Sequence, residues 1–217
     1  MIVQSRSRGY LPHWEKSGST YFVTFRLADS LPGFILRQWA FERKDIEARS
    51  RAQNRELTKY ECERLAALFS ERVDKYLDLG AGRRWLVMPD IAALVVSALK
   101  FMDGQRYALH AWCVMPNHVH VVVTPVREFE NAKGQLGSIL HSWKSYTAKE
   151  ANRILRRTGE FWCREYYDHL IRDGEEHSFY IGYTLNNPVK AGFCKAWDEW
   201  PWSGCSTAVR PTLRDKP

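Results

Sequence analysis

Residues 115–124 read Met-Pro-Asn-His-Val-His-Val-Val-Val-Thr, and no other stretch narrows the possible folds of this chain as much. A β-branched run after a Pro-Asn break predicts a strand. Successive strand residues point to opposite faces, so His118 and His120 share one face while Val119, Val121 and Val123 share the other. The valine face requires a core to cover it. The two imidazoles, about 7 Å apart along the strand at the usual rise, form a natural bidentate metal site. An isolated His-x-His can equally be two surface histidines, and no nearby cysteine completes a structural zinc site. Just upstream, Tyr107 to Val114 is a second strand-like run. The Met115-Pro116-Asn117 turn between them makes the pair a β-hairpin.

The other segments fill in around this hairpin. Residues 20–27, Thr-Tyr-Phe-Val-Thr-Phe-Arg-Leu, read as a strand stopped by Leu31-Pro32-Gly33. Residues 34–82 are rich in Arg, Glu, Leu, Ala and Lys, with apolar residues at helical spacing, and predict two charged helices, 35–50 and 57–79, as a helical insertion. Asp90 opens a helix reaching about Met102, and a long helix covers 132–156, with Leu136, Ile139, Leu140, Trp143 and Tyr146 on one side. Residues 160–172 form an aromatic, strand-like stretch. A last helix begins near Asp173 and is expected to stop at Asn187-Pro188, because a residue before proline disfavours helix. Trp197, Trp200 and Trp202 in the tail are expected to pack across the body. The order strand, helix, strand, strand, helix, strand, helix suits an α+β fold of the ferredoxin-like or RRM-like class: an antiparallel sheet with helices on one face, in a single domain spanning 1–217 that carries the insertion.

Composition narrows the partners. Lys plus Arg number 32 against 25 Asp plus Glu, a formal net charge of +7, which favours an acidic partner and nucleic acid first. The five cysteines, Cys62, Cys113, Cys163, Cys194 and Cys205, are odd in number, scattered and without a CxxC spacing, which points to reduced thiols. The N-terminus is polar and the longest apolar run, near Ile91 to Leu99, is too short for a bilayer, so the expectation is a cytoplasmic protein with no membrane partner.

The last helix contains His177-Ser-Phe-Tyr-Ile-Gly-Tyr183-Thr-Leu-Asn-Asn187-Pro-Val-Lys190. Tyr183 and Asn187, four apart, share a helix face. A phenol can act as a nucleophile, and an amide oxygen is a hard ligand for Mg²⁺ or Mn²⁺. On the residues alone, Tyr183 can equally be a packing residue and Asn187 a helix cap.

Three segments recur together in one order: Tyr21 to Leu27, Met115 to His120, and Tyr183 through Asn187-Pro188-Val189-Lys190-Ala191-Gly192. Phe161-Trp162 to Arg172 lies between the last two. In these the chain resembles the REP-associated tyrosine transposases, single-tyrosine members of the HUH superfamily, over residues 9–29 and 105–203. The resemblance implies that His118, His120 and Asn187 hold a divalent metal, Mg²⁺ or Mn²⁺, and that Tyr183 is the nucleophile, with Tyr180 and Asn186 as rivals. The implied activity is that of a single-strand DNA endonuclease and strand transferase, forming a 5′-phosphotyrosine link on hairpin-forming repetitive DNA. The implied setting is the nucleoid, and the implied assembly a monomer or a homodimer, with the tyrosine serving its own site or a partner's. Lys144, Lys149, Arg153, Arg156, Arg157, Arg164 and Arg172 are candidate phosphate contacts. Trp14, Trp143, Trp162 and Tyr167 are candidate base-stacking residues. By analogy, Arg6, Arg8 and Tyr10 help to recognise a hairpin. Two competing readings are a nucleic-acid-binding module that does not cut, and a metal-dependent nuclease in which water attacks.

Overall fold

A computed structural model describes residues 4–7, 12–15, 18–31, 82–126 and 136–207, with scattered positions between 33 and 80. Two short strands, β1 (Gln4–Ser7) and β2 (Pro12–Glu15), pair antiparallel as a separate hairpin. The main chain path then runs β3 (Tyr21–Leu27), α1 (Pro89–Lys100), β4 (Tyr107–Val114), β5 (His118–Pro125), α2 (Leu136–Ile154), β6 (Trp162–Leu170), α3 (Gly174–Lys190) and β7 (Ser203–Cys205). One antiparallel sheet, in the order β6-β3-β5-β4-β7, holds all but the first two strands. The fold is therefore α+β, with the antiparallel sheet and element order expected of the ferredoxin-like class. Most of the expected insertion at 34–82, including the bulk of its two helices, lies outside the described residues.

Alternation along the strands builds the two faces. Tyr21, Val23, Phe25 and Leu27 of β3 and Val119, Val121 and Val123 of β5 turn to one side, where α1 (Ile91, Val95, Leu99) and α2 (Ile139, Leu140, Trp143) cover them. Burying this much branched and aromatic surface is the main stabilising contribution, at about 1.5–3 kcal/mol per large side chain. Polar atoms inside this layer are satisfied. Tyr107 Oη donates to Leu99 O (2.7 Å) and accepts from Trp143 Nε1 (3.0 Å). Trp162 Nε1 donates to Thr147 Oγ1 (2.8 Å), which donates to Trp143 O (2.6 Å).

The opposite face departs from expectation. It carries its own apolar patch, Phe22, Ala111, Val122 and Tyr167, and α3 docks there through Ile181 and Leu185. Helices on one face thus holds for α1 and α2 but not for α3. The valine face is already filled by two helices, and Phe22 and Val122 give the other face enough apolar surface to bury a third.

The ends of α3 also differ in part. The helix begins near Asp173 as expected, and Asp173 caps it, accepting from Glu176 N at 2.8 Å. The helix does not stop at Asn187-Pro188 but continues to Lys190. Pro188 sits in the last turn, where its missing N–H removes one bond at most, and the chain turns out only at Gly192 (φ +76°). The start expected for α2 at 132 falls outside the described residues, and α2 is seen from Leu136 to Ile154. The Trp-rich tail packs on the body as expected and adds the unforeseen strand β7. Trp200 Nε1 donates to Val114 O (3.0 Å) and Val114 N to Trp202 O (3.0 Å). Gly204 is required here, since a Cβ would sit 2.2 Å from the Trp112 ring. Among the described residues, no helix is long and apolar enough to cross a membrane.

Candidate metal and nucleophile site

The histidine face of β5 is closed off by α3. His118 and His120 are each 0% exposed and lie edge to face, with their Nε2 atoms 3.0 Å apart. Each ring is held from behind. His118 Nδ1 donates to Asn117 Oδ1 at 2.8 Å, and His120 Nδ1 lies 2.8 Å from Thr24 Oγ1, on the residue directly across the ladder on β3. Outer nitrogens anchored in this way fix ring orientation and leave the inner ones to converge.

Both rings are neutral. Burial pushes the His118 imidazole down to about 3, with the Lys190 charge acting in the same direction. Burial, then the His118 neighbour and Lys190, hold His120 well below its ordinary 6.5. Neutral imidazole is the metal-binding form. The 3.0 Å between the Nε2 atoms matches two adjacent positions of an octahedron with bonds of about 2.1 Å, which stand roughly 3.0 Å apart.

Tyr183 of α3 meets this pair. The Tyr183 ring stands 5.5 Å from the His120 ring, at 77° to it. Phe22 of β3 forms the floor under both, stacked on His120 at 5.4 Å and edge-on to Tyr183 at 5.6 Å. Asn187, one turn on, is 1% exposed, and among the described residues neither its Oδ1 nor its Nδ2 has a hydrogen-bond partner. Lys190 follows, with Nζ 5.7 Å from the centre of the Tyr183 ring. Tyr183, Asn187 and Lys190 fall at i, i+4 and i+7, one face of a helix. The contact of Tyr183 with His120 turns this face toward the histidines.

The rivals are placed elsewhere. The Tyr180 ring is stacked on Phe22 at 4.7 Å and leans on His169 at 4.8 Å. Asn186 is exposed while Asn187 is buried. Among the described residues no three of His, Cys, Asp and Glu come together as a metal cluster. The buried Asn187 amide suits such a pair: two imidazole nitrogens with one amide oxygen fit a divalent ion that accepts mixed N and O ligands.

The candidate DNA contacts are dispersed. Lys149, Arg153 and Arg156 are exposed and Arg157 is half-buried, all on or just after α2, the layer on the far side of the sheet from the histidines. Several have partners: Arg153 pairs with Glu150 (2.9 Å), Arg157 donates to Glu160 O (3.2 Å), and Lys144 donates to Arg164 O (2.7 Å). Arg172 lies 3.8 Å from Glu176 at the start of α3. Arg6 belongs to β1, and Arg8 and Tyr10 lie outside the described residues. Of the candidate stacking residues, Trp143, Trp162 and Tyr167 are at most 8% exposed. Core packing takes their faces, so they offer no platform to a base; the side chain of Trp14 is outside the description. Thr24, Asn117, Phe22 and Lys190 were not singled out from the sequence. Thr24 and Phe22 become visible only once the β3–β5 register is known, whereas Asn117 and Lys190 sit inside the motifs already read.

No protein-family model matches the chain. It is 28% identical over 108 residues to the "Putative REP-associated tyrosine transposase" of Haemophilus influenzae, covering 48% of this chain and 61% of that protein. It is 22% identical over 105 residues to the REP-associated tyrosine transposase of Escherichia coli K12, covering 48% of this chain and 58% of that one. The chain thus spans about three fifths of the length of these relatives. A solved REP-associated tyrosine transposase bound to a REP hairpin aligns over 99% of this chain and 89% of its own, at 18% identity and a TM-score of 0.49. Through its two curated relatives, the chain is similar over about half its length to the REP-associated tyrosine transposases.

Proposed function

We propose that the protein is a metal-dependent tyrosine transposase that cuts and rejoins single-stranded, hairpin-forming repetitive DNA. The observation that carries the reading is the meeting of Tyr183 with a buried, neutral histidine pair whose Nε2 atoms converge at 3.0 Å. The orphaned Asn187 amide supports it. The transposase reading agrees with the names of the two relatives, and the single-stranded, hairpin-forming substrate is what the family resemblance of the sequence motifs implies.

His118, His120 and Asn187 would hold Mg²⁺ or Mn²⁺. When bound, such an ion supplies Lewis-acid polarisation of a phosphoryl oxygen. The rest belongs to the protein. Asn117 and Thr24 keep the imidazoles in the orientation that leaves Nε2 available. Phe22 and the apolar underside of α3 hold Tyr183 beside them. The Tyr183 oxygen attacks phosphorus, a phosphotyrosine ester forms at the 5′ side, and the bond to the 3′ oxygen breaks. The proton lost by the phenol is balanced by the one gained at the new 3′-hydroxyl. One phosphoester replaces another, so a second 3′-hydroxyl can reverse the step and join strands without a nucleotide cofactor.

The test is a denaturing gel of the protein incubated with Mn²⁺ and a labelled single-stranded hairpin from DNA flanking its gene. The expected result is a covalent adduct that disappears in Tyr183→Phe. Cleavage without adduct that survives Tyr183→Phe would identify water as the nucleophile. Binding without either product would reduce the protein to a nucleic-acid-binding module.

A further inference from the structure

Among the described residues, the side chains that line the histidine face beside the imidazoles are a phenol and an amide, which carry no charge, and Lys190. A phosphodiester brings a negative charge there. The row of cations on α2 lies on the other side of the sheet. Arg26, across the ladder from His118, is 4% exposed and turned to local partners, donating to Ser30 Oγ (3.2 Å) and Leu27 O (3.4 Å). Lys190 brings a positive charge to the same helix face as the tyrosine. It is exposed, it stands on the helix face of Tyr183 and Asn187, and its Nζ is 5.7 Å from the Tyr183 ring centre. That ring in turn lies 5.5 Å from the His120 ring.

We infer that Lys190 is a substrate-binding residue of this site, holding a non-bridging oxygen of the scissile phosphodiester between itself and the histidine pair, and that it thereby makes metal binding and DNA binding depend on each other. This rests on the reading of the site given above. The sign of the coupling follows from charge alone. With no DNA, the ammonium repels a divalent ion at the pair. A divalent ion and a unit charge about 6 Å apart in bulk water repel enough to weaken binding roughly tenfold. A phosphodiester lying between them attracts both and relieves the repulsion. Each ligand then tightens the other by the same factor, as linkage requires. Lys190 also ends α3, where a cation favours the helix dipole. That structural role alone would stabilise the helix without coupling two ligands.

The experiment is a Mn²⁺ titration of the full chain by electron paramagnetic resonance, with and without a saturating single-stranded hairpin. It is run in a Tyr183→Phe background so that the DNA is not cut. The parent background should bind Mn²⁺ several-fold to about tenfold more tightly when DNA is present. Adding Lys190→Met should tighten Mn²⁺ binding to the DNA-free protein and flatten the DNA effect, while Lys190→Arg should keep most of the coupling. Thermal melting of each variant separates loss of fold from loss of coupling. Equal coupling in Lys190→Met and the parent would overturn the inference while leaving the site intact. No Mn²⁺ binding to the parent, with or without DNA, would remove the metal-site reading and this inference with it. In Lys190→Met with Tyr183 restored, adduct formation should slow tenfold or more at saturating DNA, a change in kcat that a helix-capping role would not produce.

Discussion

Acid should destabilise the metal-free protein through the histidine pair, and by a calculable amount. Both rings are buried and neutral, with His118 near 3 and His120 well below 6.5, whereas in the unfolded chain each titrates near 6.5. The unfolded state therefore binds more protons wherever the pH lies between these values, so stability is fully present above 6.5 and declines as pH falls toward 3. At pH 5 the gap from the unfolded value is about 1.5 units, or about 2 kcal/mol for His118, and His120 adds to the loss in the same direction. The assay is urea unfolding in a chelator at pH 7.5 and at pH 5. At an m-value of about 2–3 kcal/mol/M, the midpoint should drop by about 0.7–1 M from His118 alone, and by more with His120. His110 and His177 are also lowered by burial and add to the decline in the same direction. The His118→Gln/His120→Gln double variant should therefore retain a shallower slope. A double variant as acid-sensitive as the parent would refute the reasoning, because the loss would then arise from other groups.

Three further outcomes follow from single contacts. Asn187→Leu removes two buried polar atoms that lack partners, so the metal-free protein should melt higher, by about 1 kcal/mol, while its Mn²⁺ affinity falls tenfold or more in the same titration. Gly82→Ala should cost at least about 2 kcal/mol in urea unfolding, since the residue has φ +76° and a Cβ would come 2.0 Å from Asp29 O. Asp173→Ala should cost about 1 kcal/mol through loss of the α3 cap, with increased amide exchange at Glu176 as the local readout.

Much of this architecture could be read directly from the residues. The strand alternation of Val119, Val121 and Val123 against His118 and His120 located both the core face and the site face, because a period of two leaves a strand no other way to satisfy both sets. The face to which α3 docks could not be read that way. Ile181 and Leu185 make a narrow stripe that would suit either side of a sheet, and the choice depends on Phe22 and Val122, residues already accounted for within strands. β7 escaped for a similar reason: Ser203-Gly204-Cys205 has no strand propensity, and its pairing is set by the Trp200 and Trp202 bonds to Val114. Within the site, the pairing of Tyr183 with Asn187 needed only helical spacing. Thr24 behind His120 needed the β3–β5 register, which no single strand encodes.

The margins of the sheet bear on how the molecule behaves in a crowded solution. An open strand edge is a template on which another chain can grow. On one side β7, three residues long, occupies the hydrogen-bonding edge of β4 and is held there by the tryptophan-rich tail. On the other side β6 is interrupted: its pairing shifts from Phe25–Tyr166 to Leu27–Trp162, so residues 163–165 bulge opposite Arg26. A bulge twists the backbone out of the regular repeat that an incoming strand would need. One margin is covered and the other is irregular, so accretion of strands onto this sheet is disfavoured from both directions. Removal of residues 197–217 should uncover β4 and turn a covered sheet edge into a nucleus for aggregation.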